Sequence, residues 1–269
     1  MRFPDSNIQK MKIIFYKYQG TGNDFIMIDN RLSLFPAKDV TLIKKMCDRR
    51  FGIGADGLIL LENDPQHDFK MIYYNSDGNQ STMCGNGGRC IAQFAHDLGL
   101  IESDTNFNAI DGLHHAKILD TEVSLQMIDV DTIERNPDGS VFLNTGSPHH
   151  VAIVDDVTSF PIYEFGKKIR YSKKYAPEGT NVNVVEKNKN GFKMRTYERG
   201  VENETFSCGT GATATAIALY HLNITNQTSV PLQVPGGILT VSFKLKNNKF
   251  HSIFLKGAAQ FVFKGVWNQ

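Results

Sequence analysis

The chain repeats itself: Cys208 lies 124 residues after Cys84, and the same offset carries Gly22 onto Gly146, Asp56 onto Thr180, Tyr73 onto Tyr197, Asn79 onto Asn203, Gly85 onto Gly209, Gly87 onto Gly211, Ala92 onto Ala216 and Gly112 onto Gly236. A single offset held without gaps across these anchors predicts two similar halves folded on one plan. The length allows it, since 269 residues, 41% of them apolar, can bury the core of one large or two ordinary domains. We set the halves at residues 11–130, carrying Cys84, and 131–260, carrying Cys208, with the chain end free to return to the first. The polar, unpatterned decapeptide MRFPDSNIQK before Met11 reads as a loose extension.

Within each half the apolar residues come in short runs. MKIIFYKY, FIMIDN, LILLE and FKMIYYN in the first, and VFLNT, HHVAIVDD, NVNVVE and FKMRTYE in the second, are β-prone stretches punctuated by Gly, Asn and Asp. A helix is expected around Val40 to Arg49, and another after Cys84, where Cys90, Ile91, Phe94, Ala95 and Leu98 recur at helical spacing. After Cys208, ATATAIALYHL predicts an Ala-rich helix with small residues on all sides, which suits a helix enclosed by a tightly wrapped sheet. Strands that run in succession before one helix point to an α+β fold rather than a doubly wound parallel one.

A formal net charge of +1 with scattered Lys and Arg creates no field to concentrate nucleic acid or an anionic membrane, so neither partner is expected. No run approaches the ~18 apolar residues of a spanning helix and the start carries no export signal, so a cytoplasmic protein is expected. There Cys47, Cys84, Cys90 and Cys208 stay reduced, as packing groups, ligands or reactive thiols. No pair has CxxC spacing and the eight His residues form no partner pattern near them, so no metal is expected. Gly52 to Gly57 spells GIGADG, but this precedes the strand-like LILLE instead of opening a helix, which argues against a dinucleotide site.

Cys47 and Cys90 read as inert core residues. Cys84 and Cys208 do not, because each directly precedes a Gly-x-Gly turn, in CGNGGRC and CGTGATA, and both occupy the same place in the repeat. At a helix start, unpaired N–H groups and the positive end of the macrodipole favour a thiolate. Moving a thiol from a pKa of ~8.5 to ~7 takes roughly 2 kcal/mol, whereas a helix end typically supplies about 0.3–1 kcal/mol. A nearby base or donor is therefore expected, with His149 in GSPHHV and Glu198 in TYERG as candidates, although His149 and His150 read equally as surface residues. The N–H groups of Gly85, Asn86, Gly209 and Thr210 could hold a carboxylate between the two helix ends. Asn23, Asn75, Asn86 and Asn181 read equally as turn-formers.

GTGNDF, RRFGIGADG, YYNSDG, CGNGGRC, GTNVN, YERG and CGTGATA together follow the order and spacing of the diaminopimelate epimerases, and the chain resembles that pyridoxal-phosphate-independent family over nearly its whole length. The resemblance implies two pseudo-symmetric domains, each a mostly antiparallel sheet curled around a central helix, with the site in the cleft between them. It implies conversion of LL-2,6-diaminopimelate to the meso isomer, a step toward lysine and peptidoglycan, without cofactor or metal. Such an inversion takes one group to remove the α-proton from one face and another to return a proton on the opposite face. Cys84 and Cys208 would be that thiolate and thiol, assisted by His149 and Glu198. By the same resemblance Asn23, Gly85, Asn86, Gly209 and Thr210 hold the reacting end of the substrate. Asn75, Asn181, Glu198 and Arg199 bind the distal end, where Arg199 offers a carboxylate a two-pronged guanidinium. The chain departs from many members in having Gly57 for Gln and Ser147 for Asn, both at distal-end contacts, and ERGVENETFSC is one residue longer than a common form. The expected partner is the small-molecule substrate, and a homodimer is compatible with the reading. Two other readings stay open: a racemase of single-centred amino acids, disfavoured by Asn75, Asn181 and Arg199, and a non-catalytic amino-acid-binding or redox-sensing protein.

Overall fold

A computed structural model describes residues 12–247 and 249–268. Met11, where the first expected strand begins, and the decapeptide before it lie outside the described residues. The first half comprises β1 (Lys12–Gly20), β2 (Asn23–Asp29), α1 (Val40–Cys47), β3 (Gly57–Glu62), β4 (Phe69–Asn75), β5 (Gln80–Ser81), α2 (Gly85–Asp97), β6 (Asp104–Ala109), β7 (Gly112–Leu119) and β8 (Glu122–Gln126). After β9 (Ile133–Arg135), the second comprises β10 (Val141–Asn144), β11 (Pro148–Ile153), α3 (Ile162–Arg170), β12 (Asn181–Asn188), β13 (Gly191–Glu198), β14 (Asn203–Thr205), α4 (Gly209–His221), β15 (Ser229–Val234), β16 (Gly237–Lys246), β17 (Lys249–Ala258) and β18 (Gln260–Asn268).

The halves share one topology. In the first, β1 and β2 form a hairpin, β2 runs parallel to β3 across α1, β3 pairs antiparallel with β4, β4 runs parallel to β6, and β7 and β8 follow antiparallel. In the second, β10, β11, β12, β13, β15, β16 and β17 take the same steps, with α3 in the place of α1. The halves are tied where β8 pairs with β17 and where β18 crosses back onto β1, while β9, the first strand past residue 130, pairs with β10. Antiparallel pairings dominate, and the fold is α+β with two pseudo-symmetric domains.

Each sheet wraps a helix, for the reason its composition suggests. Every residue of α2 from Gly85 to Ala95 is buried, as are Gly209 and Gly211 to Leu219 of α4. Side chains such as Phe94, Ile91, Ile217 and Leu219 each contribute about 1.5–3 kcal/mol by leaving water. The outer faces are covered by α1, which packs Leu42, Ile43 and Met46 onto the β2–β3 face, and by α3, which sets Ile162 against Val182, Val184 and Tyr197. α3 lies outside the sequence expectations, although Ile162, Phe165 and Ile169 stand at helical spacing in IYEFGKKIR. It buries Ile162 and Gly166 with Phe165 and Ile169 packed beside them, and a Cβ at Gly166 would lie 2.4 Å from Tyr197 Cβ, so this apolar face seats through a glycine. Among the described residues no helix is long and apolar enough to cross a membrane.

One anchor of the repeat is displaced. Pairing sets Ile59 opposite Tyr73 and Asn183 opposite Thr196, so the structural counterpart of Tyr73 is Thr196, not Tyr197. A one-residue slip in a strand exchanges faces. Tyr73 packs inward with Phe69 and Met71, whereas Tyr197 packs outward against α3. The offset returns to 124 at β5 and β14, where Ser81 and Thr205 pair with Tyr73 and Thr196, so the extra residue sits in the turn after Glu198.

Candidate active site

Cys84 and Cys208 are the N-caps of α2 and α4, both with extended backbone. The two helix starts abut. A Cβ at Gly209 would stand 3.5 Å from Gly85 Cα and 2.8 Å from Leu255 Cδ2, and one at Gly85 would stand 3.7 Å from Gly209 Cα. Glycine at both positions lets the helix ends approach this closely, which sets the two thiols and both sets of unpaired N–H groups around one junction.

On the first thiol's side, Cys84 Sγ lies 3.6 Å from Asn23 Oδ1. Asn23 Nδ2 donates to Asp56 Oδ2 at 2.5 Å. Asp56 is gripped by Arg49 at 2.6 Å, Arg49 also holds Asp24 at 2.6 Å, and Asp24 meets the buried Lys17 at 2.8 Å. Asn86 bridges the halves, its Nδ2 donating to Asn23 Oδ1 at 3.2 Å and to Ser207 Oγ at 2.9 Å. The fully buried Arg89 donates to Asn86 Oδ1 at 3.1 Å and to Thr21 Oγ1 at 2.9 Å.

On the second thiol's side, Cys208 Sγ lies 3.5 Å from Thr210 Oγ1. His149 reaches that thiol only through Thr210, with Nε2 2.9 Å from Thr210 Oγ1 and 3.0 Å from Ser147 Oγ. Behind it, Asn183 Nδ2 is 3.0 Å from His149 Nδ1. Glu198 Oε2 accepts from Thr205 Oγ1 at 2.9 Å. Asn181 donates to Ser147 Oγ at 3.2 Å and accepts from the Arg199 backbone N–H at 2.8 Å, while the half-buried Arg199 guanidinium has a long contact, 3.4 Å, to Glu178 O. Asn75 ends β4 with its side chain exposed and takes no part in these bonds.

The electrostatics correct one expectation. Burial pushes both thiols up and outweighs the helix-start donors, namely the N–H groups of Gly87 and Asn86 for Cys84, and Thr210 Oγ1 with the Gly211 N–H for Cys208. Taking a thiolate out of water costs more than the end of a helix returns. Burial also raises the Glu198 carboxyl, whose charge bears on both thiols. His149 is pushed down to about 3 by burial, assisted by the Arg199 cation, so its ring is neutral. The neutral ring contacts Thr210 Oγ1, which stands between it and the sulfur.

Three participants escape the sequence reading. Asp56 lies in GIGADG, whose only evident signal is a glycine pattern. Asn183 stands where the offset places the apolar Ile59, and that mismatch in NVNVV is the signal that could have found it. Tyr73 explains Gly57: a Cβ there would lie 2.5 Å from Tyr73 Cε2 and 2.6 Å from Tyr74 O, so the tyrosine ring fills the space that a longer residue would need.

The fold is shared with solved structures of low identity. A phenazine biosynthesis protein of the PhzF family from Bacillus anthracis superposes with a TM-score of 0.76 at 12% identity, over 96% of this chain and 99% of that one. A hydroxyproline epimerase from Agrobacterium vitis superposes with a TM-score of 0.68 at 14% identity, over 100% and 94%. These neighbours share the two-domain α+β fold, in which this chain sets a cysteine at the start of each wrapped helix. The model of the family described as "Diaminopimelate epimerase" matches residues 15–132 and 141–262. A diaminopimelate epimerase from Flavobacterium psychrophilum is 60% identical over 93% of this chain and 98% of that protein, and one from Aquifex aeolicus is 38% identical over 93% and 96%. The chain belongs to the diaminopimelate epimerase family.

Proposed function

We propose that this protein epimerises LL-2,6-diaminopimelate to the meso isomer, with Cys84 and Cys208 as its acid–base pair and no cofactor. The observation that carries the reading is the abutment of two cysteine-capped helices at Gly85 and Gly209. With the substrate's reacting carbon between the sulfurs, one thiolate takes the α-proton and the C–H electron pair stays on carbon, delocalised into the α-carboxylate. The opposite thiol then gives its proton to the other face. The product leaves with the two protonation states exchanged, and the reverse reaction starts from there. Burial disfavours a resting thiolate, so the substrate's own ammonium groups supply the positive charge that makes it attainable. The N–H groups of Gly85, Asn86, Gly209 and Thr210 hold the α-carboxylate as its charge grows, and Asn23 completes the reacting end. Asn75, Asn181, Glu198 and Arg199 hold the distal end, where Arg199 takes the carboxylate and Glu198 the ammonium.

The two-block family match, the pairing of β9 with β10 and the crossover of β18 support a division near 11–130 and 131–260, with the chain end returned to the first domain. The reading includes a cytoplasmic setting, a small-molecule partner rather than nucleic acid or membrane, and room for a homodimer. A coupled assay offering LL-diaminopimelate, proline, lysine and histidine to reduced protein tests the substrate. Diaminopimelate should be turned over far faster than the others, and preference for any single-centred amino acid would overturn the assignment.

A further inference from the structure

The two thiols occupy matched places in unmatched surroundings. By strand register, Phe25, Ile59 and Tyr73 of the first half correspond to His149, Asn183 and Thr196 of the second. Behind α2 stands an apolar group, with the Phe25 and Tyr73 rings meeting edge to face at 6.0 Å. Behind α4 the same positions form a hydrogen-bonded set.

Its polarity can be read from groups that have no choice. The His150 carbonyl can only accept, and it lies 3.3 Å from the amide nitrogen of Asn183, while Thr196 Oγ1 lies 2.9 Å from Asn183 Oδ1. The same amide nitrogen faces His149 Nδ1 at 3.0 Å, so Nδ1 is the acceptor and the ring proton sits on Nε2. Nε2–H then points at Thr210 Oγ1, and Ser147 Oγ beside it accepts from Asn181. Having accepted from His149, the Thr210 hydroxyl has two acceptors for its own hydrogen, Ser147 Oγ at 3.1 Å and Cys208 Sγ at 3.5 Å, and an ionised sulfur is the stronger of the two. At Cys84 the polarity is reversed. The Asp56 carboxylate takes Asn23 Nδ2, which leaves Asn23 Oδ1, an acceptor, facing Cys84 Sγ. The helix-start N–H groups serve both sulfurs and do not separate them. Among charged groups, Glu198 bears on both thiols, Arg199 on His149, and Arg89, whose terminal nitrogens bond Asn86, Thr21 and the Gly85 carbonyl, on Cys84.

We propose that Asn183 is a positioning residue which, by fixing His149 as the Nε2–H tautomer, keeps a hydroxyl donor for Cys208, so that of the two buried thiols Cys208 is the first to ionise and Cys84 the one that keeps its proton. The catalytic meaning of this assignment rests on the acid–base reading above, whereas the assignment itself is measured without substrate. In 15N spectra of histidine-labelled protein, the His149 signals, identified by their loss in His149→Gln, should show a protonated Nε2 and a bare Nδ1. The opposite tautomer, or a charged ring near neutral pH, overturns the proposal. Alkylation by iodoacetamide followed against pH by mass mapping should place the Cys208 midpoint about one to two pH units below that of Cys84, the difference a hydrogen bond to an ionised group makes. Cys84 ionising first overturns it. Asn183→Asp keeps the size and the Thr196 contact but offers His149 only acceptors, which draws the ring proton to Nδ1 and the Thr210 hydrogen to Nε2. It should raise the Cys208 midpoint by about one pH unit, leave Cys84 unmoved, and lower kcat about tenfold with a smaller effect on KM. A folded Asn183→Asp with an unmoved Cys208 midpoint refutes the positioning role, and should that variant fail to fold, the spectra and midpoints of the unaltered protein decide. A protein that ionises in this order yet does not turn over diaminopimelate would lose the function and keep the assignment.

Discussion

Replacing Gly211 by alanine should damage the protein far more than replacing Gly87, although the two hold equivalent places in α4 and α2. A Cβ at Gly211 would lie 2.4 Å from Asn183 Oδ1 and 3.3 Å from Cys208 Cβ and Sγ, whereas at Gly87 the nearest atoms are Ile59 Cδ1 at 3.0 Å and Met71 Cε at 3.4 Å. Ordinary carbon contacts begin near 3.5 Å, so Asn183 would have to retreat by about 1 Å. Its strand is paired on both sides and cannot follow. The side chain must turn away from Thr196 and His149, losing two buried hydrogen bonds of about 1 kcal/mol each, beside an overpacking cost of about 1–3 kcal/mol. Alanine's better helix propensity returns about 1 kcal/mol at either site. The balance is a loss of about 2–4 kcal/mol for Gly211→Ala, while at Gly87, where a terminal methyl can swing aside, the change stays within about 1 kcal/mol. At about 2–4 °C per kcal/mol for a chain of this size, calorimetry should find Gly211→Ala roughly 4–16 °C below the parent and Gly87→Ala within about 4 °C. Equal Tm losses would refute the idea that rigid polar packing behind Cys208 differs from yielding packing behind Cys84.

Arg199→Lys keeps the charge but loses the two-pronged guanidinium, so KM for diaminopimelate should rise about tenfold or more, and an unchanged kcat/KM would remove Arg199 from the site. Air oxidation should inactivate the protein reversibly by linking Cys84 to Cys208, with substrate protecting, and mass mapping that found both thiols free in inactive protein would contradict the shared junction. His149 and His150, pushed down to about 3 and about 4 by burial, bind fewer protons folded than unfolded. Stability from this source is therefore full above the unfolded value of ~6.5 and is lost as pH falls from there toward the folded values. The urea midpoint should drop between about pH 7 and pH 5, and less steeply in His149→Gln; an identical slope in that variant would show the ring is not held neutral.

The repeat made the two thiols and the plan of each half legible, because glycine turns and cysteine caps are local requirements that a constant offset preserves. It also misled at one point, since Tyr197 matches Tyr73 in identity but lies on the other face of its strand. A single residue added after Glu198 is invisible when the flanking anchors realign. α3 went unread although Ile162, Phe165 and Ile169 stand at helical spacing, because the segment is short, is interrupted by Gly166 and carries Glu164, Lys167, Lys168 and Arg170 among its nine residues. The raised thiols went unread for a different reason: helix polarity follows from local sequence, but the desolvation that outweighs it comes from strands and loops distant along the chain. Asn183 belongs to the same class, as its role depends on His149 and Thr196 on neighbouring strands.

The central claim is that Cys84 and Cys208 act from opposite faces of one carbon, and it is tested most directly by following inversion and α-hydrogen exchange in deuterated water with Cys84→Ala and Cys208→Ala, each offered the LL and the meso isomer. Neither variant should invert its substrate, and each should exchange the α-hydrogen of only one isomer, the opposite one for each variant. Inversion at a near-parental rate in either variant would contradict the claim.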